Sequence, residues 1–215
     1  MKIAILGGTG DEGFGLGFRW ARAGHEIIIG SRKAEKGAKA AADLAARLPG
    51  AQVSGTDNLT AARQGEVVVL SVPYEAQAAT LASVQEALAG KLLVTVVAPT
   101  GEKKARVRRL PSGKSAAEEA QEQLGEATRV VAAFQNIGAH YLLDPDYVMD
   151  CDVLVCGQKK ADKELVMQLC RDAGFRGVNA GALENASVVE GLTAVLIAVN
   201  VIYKVKSAGI RITGI

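Results

Sequence analysis

The sequence predicts an α/β fold, in which a parallel sheet carries helices on both faces and a small α/β annex follows at the C-terminal end. Apolar runs rich in β-branched residues alternate with runs rich in Ala, Leu, Glu, Lys and Gln over the first two-thirds of the chain, which is typical of alternating strands and helices. Several apolar runs are continuous, as in parallel strands buried on both faces. After residue 134 the alternation changes, which indicates a second unit.

The first unit contains six predicted strands, at residues 2–6, 26–30, 51–55, 66–72, 91–97 and 129–134. Helical segments such as 32–48 and 115–124 lie between the strands and are rich in good helix formers. Six strands with five crossovers are the full count of a Rossmann fold, so we expect a doubly wound parallel sheet.

The annex is predicted from a strand at 151–157, a helix at 161–174, a short strand at 176–181 and a long apolar helix at 185–206. Apolar side chains recur at helical spacing along this last helix, at Val188, Val189, Leu192, Val195, Leu196, Val199 and Tyr203. We therefore divide the chain into a Rossmann domain, 1–150, and a small C-terminal domain, 151–215. A small domain beside a Rossmann domain usually creates a cleft.

The composition is that of an ordinary soluble protein, with 49% apolar and 22% charged residues. A net charge of +2 is too small to indicate a nucleic-acid or membrane surface as partner. The N-terminus lacks a signal-peptide pattern, and the longest apolar segment, 192–203, falls short of a membrane span of roughly 20 residues. The spacing of the three cysteines matches no zinc or redox motif, so free thiols in a reducing cytoplasm and no metal site are expected.

A glycine-rich motif follows the first strand and opens a helix; it reads Gly8-Thr9-Gly10-Asp11-Glu12-Gly13. In this pattern Gly8 permits the tight turn, Gly10 lets the backbone approach a pyrophosphate, and Gly13 allows close packing of helix on strand. Free amides at the helix N-terminus then meet the phosphates. We predict dinucleotide binding, with the two carboxylates of the motif pointing to solvent or to the nicotinamide end.

The end of the second strand selects the dinucleotide. Ser31 lies 18 residues after Gly13, where an acidic residue would bind the ribose 2′-hydroxyl of NAD(H). The chain has Ser31 and Arg32 there, which can bind a 2′-phosphate, and Lys36 one helical turn later adds charge. The adjacent Lys33 is more simply a solvated helix start. The pattern predicts NADP(H), and 1–150 as the NADP-binding domain.

Two strand ends with proline are further candidates for cofactor contacts, Val72-Pro73 and Ala98-Pro99, although prolines in loops explain both equally simply. A loop with six Lys or Arg between Lys103 and Lys114 is either a solvated basic loop or a positive rim for an anionic substrate.

Proton-transfer residues are scarce. His25 lies in a turn far from the predicted cofactor, and His140 is a weak candidate for a general acid. The sequence contains no Ser-His-Asp, metal-cluster or paired-carboxylate pattern. This combination suits a reaction without a catalytic side chain, in which hydride passes directly between two cofactor rings.

Several segments together resemble the F420-dependent NADP oxidoreductases over essentially the whole chain. They are GGTGDEG, GSR, VP after the fourth strand, SGKSAAEEAQ, VVAAFQNI, CDVLVCG, NAGALENASVVEGLT and the closing GIRITGI. The resemblance implies a Rossmann protein, usually a homodimer, that moves hydride reversibly between NADP(H) and the deazaflavin coenzyme F420.

The resemblance also implies residue roles. The loop at Thr9, Gly10, Asp11 and Glu12 would line the pyrophosphate and nicotinamide, and Ser31, Arg32 and Lys36 would hold the 2′-phosphate. The nicotinamide and deazaflavin would be flanked by Val72, Pro73, Ala98, Ile137, Gly138 and Ala139. One departure is that Gln135-Asn136-Ile137-Gly138 stands where archaeal members have a His-Thr-Ile-Pro-like stretch.

The walls of the F420 site are expected to be aliphatic, because only 4% of the residues are aromatic. Candidates are Ile137, Val188, Leu192 and Leu196. Since F420 carries a phosphate and a glutamate tail, Arg108 and Arg109 would receive that anionic tail. The apolar helix at 185–203 favours a homodimer.

Two alternatives share the NADP(H) prediction. An NADP-dependent reductase of imines or ketoacids would need a proton donor in the annex, for which His140 or Tyr141 would have to serve. A non-enzymatic NADP(H) sensor would present a surface for a partner instead of a closed apolar cleft.

Overall fold

The computed structural model describes residues 1–101 and 105–215, which form eight strands and seven α-helices. The strands are β1 (Lys2–Leu6), β2 (Glu26–Ser31), β3 (Val53–Asp57), β4 (Val67–Leu70), β5 (Leu92–Thr95), β6 (Arg129–Ala132), β7 (Asp152–Gly157) and β8 (Arg176–Asn179). The helices are α1 (Asp11–Arg22), α2 (Ala34–Arg47), α3 (Asn58–Gln64), α4 (Tyr74–Leu88), α5 (Ala116–Leu124), α6 (Lys160–Asp172) and α7 (Ala186–Tyr203).

The strands make one sheet in the order β3-β2-β1-β4-β5-β6-β7-β8. The first six strands are parallel, so their carboxyl ends meet at one edge. The strand order reverses beside β1, which pairs with β2 on one side and β4 on the other. In open α/β sheets ligands bind outside this switch point. The predicted doubly wound Rossmann fold with a C-terminal α/β annex is confirmed.

The annex extends the same sheet. β7 pairs antiparallel with the end of β6, and β8 then pairs parallel with β7. The division into 1–150 and 151–215 stays a prediction, since the two predicted units share this sheet. The strands after β3 are shorter than predicted: β4, β5 and β6 end at Leu70, Thr95 and Ala132, and the apolar residues beyond them lie in loops at the carboxyl edge.

Two apolar layers cover the sheet. One contains buried residues of α1, α2 and α6, and the other contains those of α3, α4, α5 and the start of α7. In the first layer, Trp20 is fully buried, its indole Nε1 donates to the carbonyl of Leu169 at 2.9 Å, and its ring meets the edge of Phe134. This contact ties α1 to α6 of the annex.

A buried carboxylate joins α7 to α5. Glu190, 4% exposed, accepts the backbone N–H groups of Ala116 at 2.8 Å and Ala117 at 3.0 Å, the first two residues of α5. Burial raises the pKa of Glu190 to about 7, although the two N–H groups act in the opposite direction. The same helix start is also closed by Ser115 and Glu118, which form a capping box.

Helix α7 is apolar along its length, yet much of it is exposed. Val201, Ile202 and Tyr203 are more than two-thirds exposed, whereas Val189 and Ala194 belong to the core. With the turn before it, the helical segment Leu183–Tyr203 is long and apolar enough to cross a membrane, and 22% of its most apolar window is buried. The apolar run 192–203 is by itself shorter than a membrane span, but the helix that contains it starts well before residue 192.

Glu190→Ala should lower the free energy of unfolding by about 2–4 kcal/mol, because each buried N–H left without an acceptor costs about 1–3 kcal/mol. Glu184→Ala is the matched control: within the described residues this exposed carboxylate accepts from Gln158 alone, and its loss should cost less than about 1 kcal/mol. Urea denaturation measures both. Equal losses would mean that the contact between α7 and α5 does not stabilise the fold.

Candidate active site at the carboxyl edge of the sheet

A cleft of about 760 Å³ opens at the carboxyl edge, beside the switch point. This volume is within the range of roughly 300–1,000 Å³ that is usual for small-molecule sites. Its walls come from the glycine-rich loop, the ends of β4 and β5, the segment after β6, and α7. Predicted site residues that line it are Gly10, Asp11, Glu12, Val72, Pro73, Ala98, Ile137, Gly138, Ala139 and Leu196.

In the glycine-rich loop, the residue with the backbone conformation of a tight turn is not the one that was predicted. Gly7, not Gly8, has the left-handed backbone, with φ of 71°, and a β-carbon there would lie 2.4 Å from the carbonyl oxygen of Ser71. Gly13 allows the close packing predicted for it, since a β-carbon would lie 2.9 Å from the Ser71 hydroxyl. A β-carbon on Gly10 would meet only one atom within 4 Å, so its backbone is open to a ligand.

The three residues predicted to bind the 2′-phosphate lie at one corner of the same edge. Ser31 ends β2 and is buried, while Arg32 and Lys36 follow it and are exposed. Thr9 and Gly8 belong to the neighbouring turn, and the amide of Gly8 donates to the carbonyl of Gly30 at 3.0 Å. The turn and the basic corner are thus joined directly by the backbone.

An acidic residue that the sequence analysis missed stands beside Ser31. Asp57 pairs with Ser31 in the register of β2 and β3. Its carboxylate accepts the N–H of Thr60 at 2.9 Å and the hydroxyl at 2.7 Å, so it caps α3, and these hydrogen bonds lower its pKa. The Asp-Asn-Leu-Thr pattern was a capping signal that could have been noticed.

The segment after β6 forms one wall. Phe134 has a left-handed backbone, with φ of 74°, although its side chain is in the core. This turn directs Gln135 and Asn136 to the cleft, where both line the wall while 4% exposed. Left-handed backbone at a bulky residue is strained and often marks a functional site.

The side chains of this wall are held in a hydrogen-bonded chain. Gln135 Nε2 donates to the carbonyl of Thr95 at 2.9 Å, and Asn136 Nδ2 donates to that of Val189 at 2.8 Å. Thr193 closes the chain by donating to the carbonyl of Gln135 at 2.8 Å. Backbone carbonyls accept only, so the amide nitrogens are fixed there, and the two amide oxygens have no partner among the described residues.

Glu12 has the most unusual environment of the cleft residues. Although the residue as a whole is partly exposed, its Oε1 is shielded from solvent and finds no hydrogen-bond donor in the described part of the chain. Burial raises the pKa of Glu12 to about 8, so the group is mainly a neutral acid at pH 7. The neighbouring Asp11 is exposed.

Arg19 holds the far end of the segment after β6. This buried guanidinium donates to four backbone carbonyls, those of Leu142 at 2.7 Å, Tyr141 at 3.1 Å, Asp144 at 2.6 Å and Tyr147 at 3.2 Å. These carbonyls belong to the stretch of chain that directly follows the cleft residues 137–139. Sequence analysis missed Arg19, because an arginine inside a helix carries no signal of four distant carbonyl partners.

The predicted F420 residues divide into two groups. Ile137 and Leu196 line the cleft, and Thr193, Ile197, Asn200 and Ala208 join them from α7 and the chain after it. Val188 and Leu192 do not line it, and Val188 is 66% exposed. Their predicted contact with F420 is not supported by this arrangement and stays a prediction.

Arg108 reaches the rim of the cleft. It pairs with Glu75, and its guanidinium lies 4.9 Å from the ring centre of Tyr74; both partners line the cleft. Arg109 lies with Arg108 and Lys114 around a smaller cavity of about 300 Å³, next to the start of α5. Lys103 and Lys104 of the basic loop lie outside the described residues.

His140 lies behind the main cleft. It lines a second cavity with Thr9, Asp43 and Arg47, and its ring is exposed. The ring of Tyr141 packs against it and stacks on Tyr147. Neither His140 nor Tyr141 lines the main cleft. In the described ranges, 1–101 and 105–215, no group of three or more His, Cys, Asp or Glu could hold a metal ion.

Known sequences match this chain over its whole length. An F420-dependent NADP reductase from Methanocaldococcus jannaschii is 44% identical, and the match covers 100% of this chain and 99% of that protein. The family described as NADP oxidoreductase coenzyme F420-dependent matches residues 2–99. The chain belongs to this family. The chain also superposes on a crystal structure from Arthrobacter sp. FB24, described as a candidate F420-dependent NADP reductase. The TM-score is 0.84 at 27% identity, and the match covers 100% of both chains.

The fold of the F420-dependent oxidoreductase family extends to other reductases. An imine reductase from Bacillus cereus superposes with a TM-score of 0.62 at 16% identity, covering 94% of this chain and 62% of that one. At this identity the match shows the fold alone. It gives the imine-reductase alternative no support beyond the shared Rossmann architecture.

Arg19→Met should loosen residues 138–148, because four carbonyls lose their shared donor. We expect faster hydrogen exchange of the amides in this segment, by about tenfold or more, since each bond to a charged donor contributes about 1.5–3 kcal/mol. Arg22→Met is the control, because among the described residues Arg22 donates to a single carbonyl, that of Pro145, at 2.6 Å. Unchanged exchange in Arg19→Met would exclude the role given to Arg19.

Proposed function

We propose that this protein transfers hydride reversibly between NADP(H) and coenzyme F420. The observation that carries the proposal is the 44% identity, over the full length, to an F420-dependent NADP reductase. The cleft supports it independently, since the predicted nucleotide loop and the predicted deazaflavin wall face one space. Bound together, the two coenzymes supply the hydride donor and acceptor, and the protein supplies their position.

The glycine-rich turn would hold the pyrophosphate. Within the motif Gly8, Thr9, Gly10, Asp11, Glu12 and Gly13, the amides of Gly8 and Gly10 donate to backbone carbonyls of the protein, so the amides at the start of α1 would meet the phosphates. The N-cap position of α1 is Gly10, which makes no side-chain cap, so the first amides of the helix are free for a ligand.

Ser31, Arg32 and Lys36 would hold the 2′-phosphate and select NADP(H). The two basic side chains are exposed at the corner where β2 ends, and the nearest acid in the sheet register, Asp57, is occupied by α3. Its carboxylate serves as the N-cap of α3 and ends β3, whereas an NAD-binding acid ends the second strand.

The nicotinamide and the deazaflavin would lie between Val72, Pro73 and Ala98 on one side and residues 137–139 with Leu196 on the other. The two walls are largely aliphatic, which excludes water from the space between the rings. Holding two reactants in a near-attack geometry lowers the barrier by roughly 7–11 kcal/mol. Arg108, at the rim, would receive the anionic tail of F420, with Arg109 behind it.

We further infer that a second copy of the chain covers the exposed face of α7, and that the protein works in the cytoplasm. The apolar residues Val201, Ile202 and Tyr203 are exposed on one protomer. A membrane location of the helix is less compatible with Glu190, which is buried against α5 from the same helix. Sedimentation velocity in detergent-free buffer tests this: a dimer supports it, and a monomer overturns it.

The proposed reaction is tested by mixing the protein with NADPH and oxidised F420 and following the deazaflavin absorbance. Bleaching supports the reductase. No bleaching, with NADPH binding retained, favours an imine or ketoacid reductase or a sensor, and turnover of an imine substrate separates these two.

Arg32→Ala should raise the KM for NADPH roughly tenfold to a hundredfold and leave that for NADH nearly unchanged, because a hydrogen bond to a charged group contributes about 1.5–3 kcal/mol. Lys33→Ala, the adjacent change, should affect both coenzymes little. Steady-state kinetics with each coenzyme measure this. If both KM values rose equally in Arg32→Ala, the 2′-phosphate would be bound elsewhere.

Replacing Arg108 and Arg109 together by Ala should raise the KM for F420 and flatten its dependence on salt, with the KM for NADPH unchanged. The reason is that salt screens the attraction between the rim and the anionic tail. The KM for F420 measured from low to moderate ionic strength checks this. An unchanged KM and salt dependence would remove both residues from the F420 site.

A further inference from the structure

The carboxyl group of Glu12 is an acid in the cleft, with its Oε1 shielded from solvent, to which the proposed hydride transfer assigns no chemistry. It lines the same space as Val72, Ala98 and Ile137, and its Oε1 lacks a donor among the described residues. A buried carboxylate without a partner is costly, so such a group is kept neutral or meets a charge that arrives with a ligand. Burial is the cause that raises its pKa to about 8.

The described side chains around the cleft offer no cation to offset an ionised Glu12. On α1 the neighbouring Asp11 is itself acidic, and on α4 Glu75 is paired with Arg108 while Tyr74 donates to Glu119 at 2.8 Å. The other lining segments, from β5, the stretch 135–139, α7 and Ala208, contribute no charged side chain. The N-terminus of α1 favours an anion, whereas burial acts in the opposite direction on the pKa of Glu12.

A positive charge does arrive with one of the two forms of the proposed coenzyme. The nicotinamide ring of NADP⁺ carries one positive charge that the ring of NADPH lacks, while the phosphates and the ribose are the same in both. A positive ring a few ångströms from a buried carboxyl favours its ionised form. NADP⁺ therefore favours the ionised form of Glu12, whereas NADPH favours the protonated form.

We propose that Glu12 is the proton carrier of the reaction: it holds a proton in the free protein and with NADPH, and it releases that proton when the cleft contains the oxidised nicotinamide. The inference rests on the proposed function. It makes Glu12 a catalytic acid in one direction and a base in the other.

The proton completes the balance of the proposed reaction. As the C4–H bond of the dihydronicotinamide breaks, its electron pair and hydrogen pass to C5 of the deazaflavin. The O–H bond of Glu12 breaks in turn, and its proton goes to a ring nitrogen of the deazaflavin. Glu12 is left as a carboxylate beside the positive nicotinamide, and solvent returns the proton when NADP⁺ leaves. The sum is NADPH, oxidised F420 and one proton giving NADP⁺ and reduced F420.

Proton release on binding tests the inference without F420. Titration calorimetry at pH 7 in buffers of different ionisation enthalpy counts the protons released by NADP⁺ and by NADPH. We expect NADP⁺ to release about one proton more than NADPH, because the positive ring lowers the pKa of Glu12. Any proton from the 2′-phosphate is common to both ligands and cancels. The affinity for NADP⁺ relative to NADPH should also rise with pH, by up to about tenfold per unit below pH 8.

Glu12→Gln keeps the shape of the side chain but carries no titrating proton, so the difference between NADP⁺ and NADPH should vanish. Glu86→Gln, which changes an exposed acid on α4 outside the cleft lining, should keep it. Equal proton release by the two coenzymes in the native protein would overturn the inference even if Glu12→Gln failed to fold. A difference that persists in a folded Glu12→Gln protein would overturn it as well.

The transfer itself is tested by the rate of F420 reduction at saturating NADPH. In the native protein it should fall as the pH rises through the pKa of Glu12, since only the protonated group donates. Glu12→Gln should lower the rate on the order of a hundredfold and remove this step from the pH profile. A profile that is the same in both proteins would overturn the transfer. Failure of F420 reduction in the native protein, with the NADP⁺ proton release intact, would instead count against the proposed function.

Discussion

The cleft depends on how the chain leaves β6. Phe134 turns the backbone into a left-handed conformation while its side chain stays packed against Trp20, so the residues that follow are directed to the carboxyl edge. The amide groups of Gln135 and Asn136 are then tied to the carbonyl of Thr95 and to that of Val189. These bonds hold the end of β5, the segment after β6 and α7 at a set separation. The width of the cleft follows from that separation.

Helix α7 contacts both the second apolar layer and the cleft. Its first turns pack on α5 through the buried Glu190, and its middle carries Thr193 and Leu196 along the cleft. The helix therefore links the position of the cleft wall to the packing of the second apolar layer. Its remaining apolar surface is exposed, which is the reason to expect a second copy there.

Two carboxylates near the nucleotide show how the environment decides the role of an acid. Asp57 accepts three hydrogen bonds from Thr56 and Thr60, which lower its pKa and keep it ionised as a cap. Oε1 of Glu12 has no donor in the described part of the chain and is shielded from water, and burial raises the pKa of Glu12 to about 8. The first group caps α3, whereas the second has the environment of the proton carrier that we propose.

The sequence by itself determined the Rossmann sheet, the glycine turn and the basic corner at Ser31 and Arg32, because apolar periodicity, glycine spacing and charge are local properties of the chain. The family could also be recognised from the sequence, because its motifs are spread along the chain. Only the tertiary structure showed that Gly7 makes the turn and that β8 extends the sheet. It alone brought Asp57 to Ser31, and Arg19 to four distant carbonyls. The burial of Glu12 was decided in the same way, since desolvation depends on which distant parts of the chain come together around the cleft.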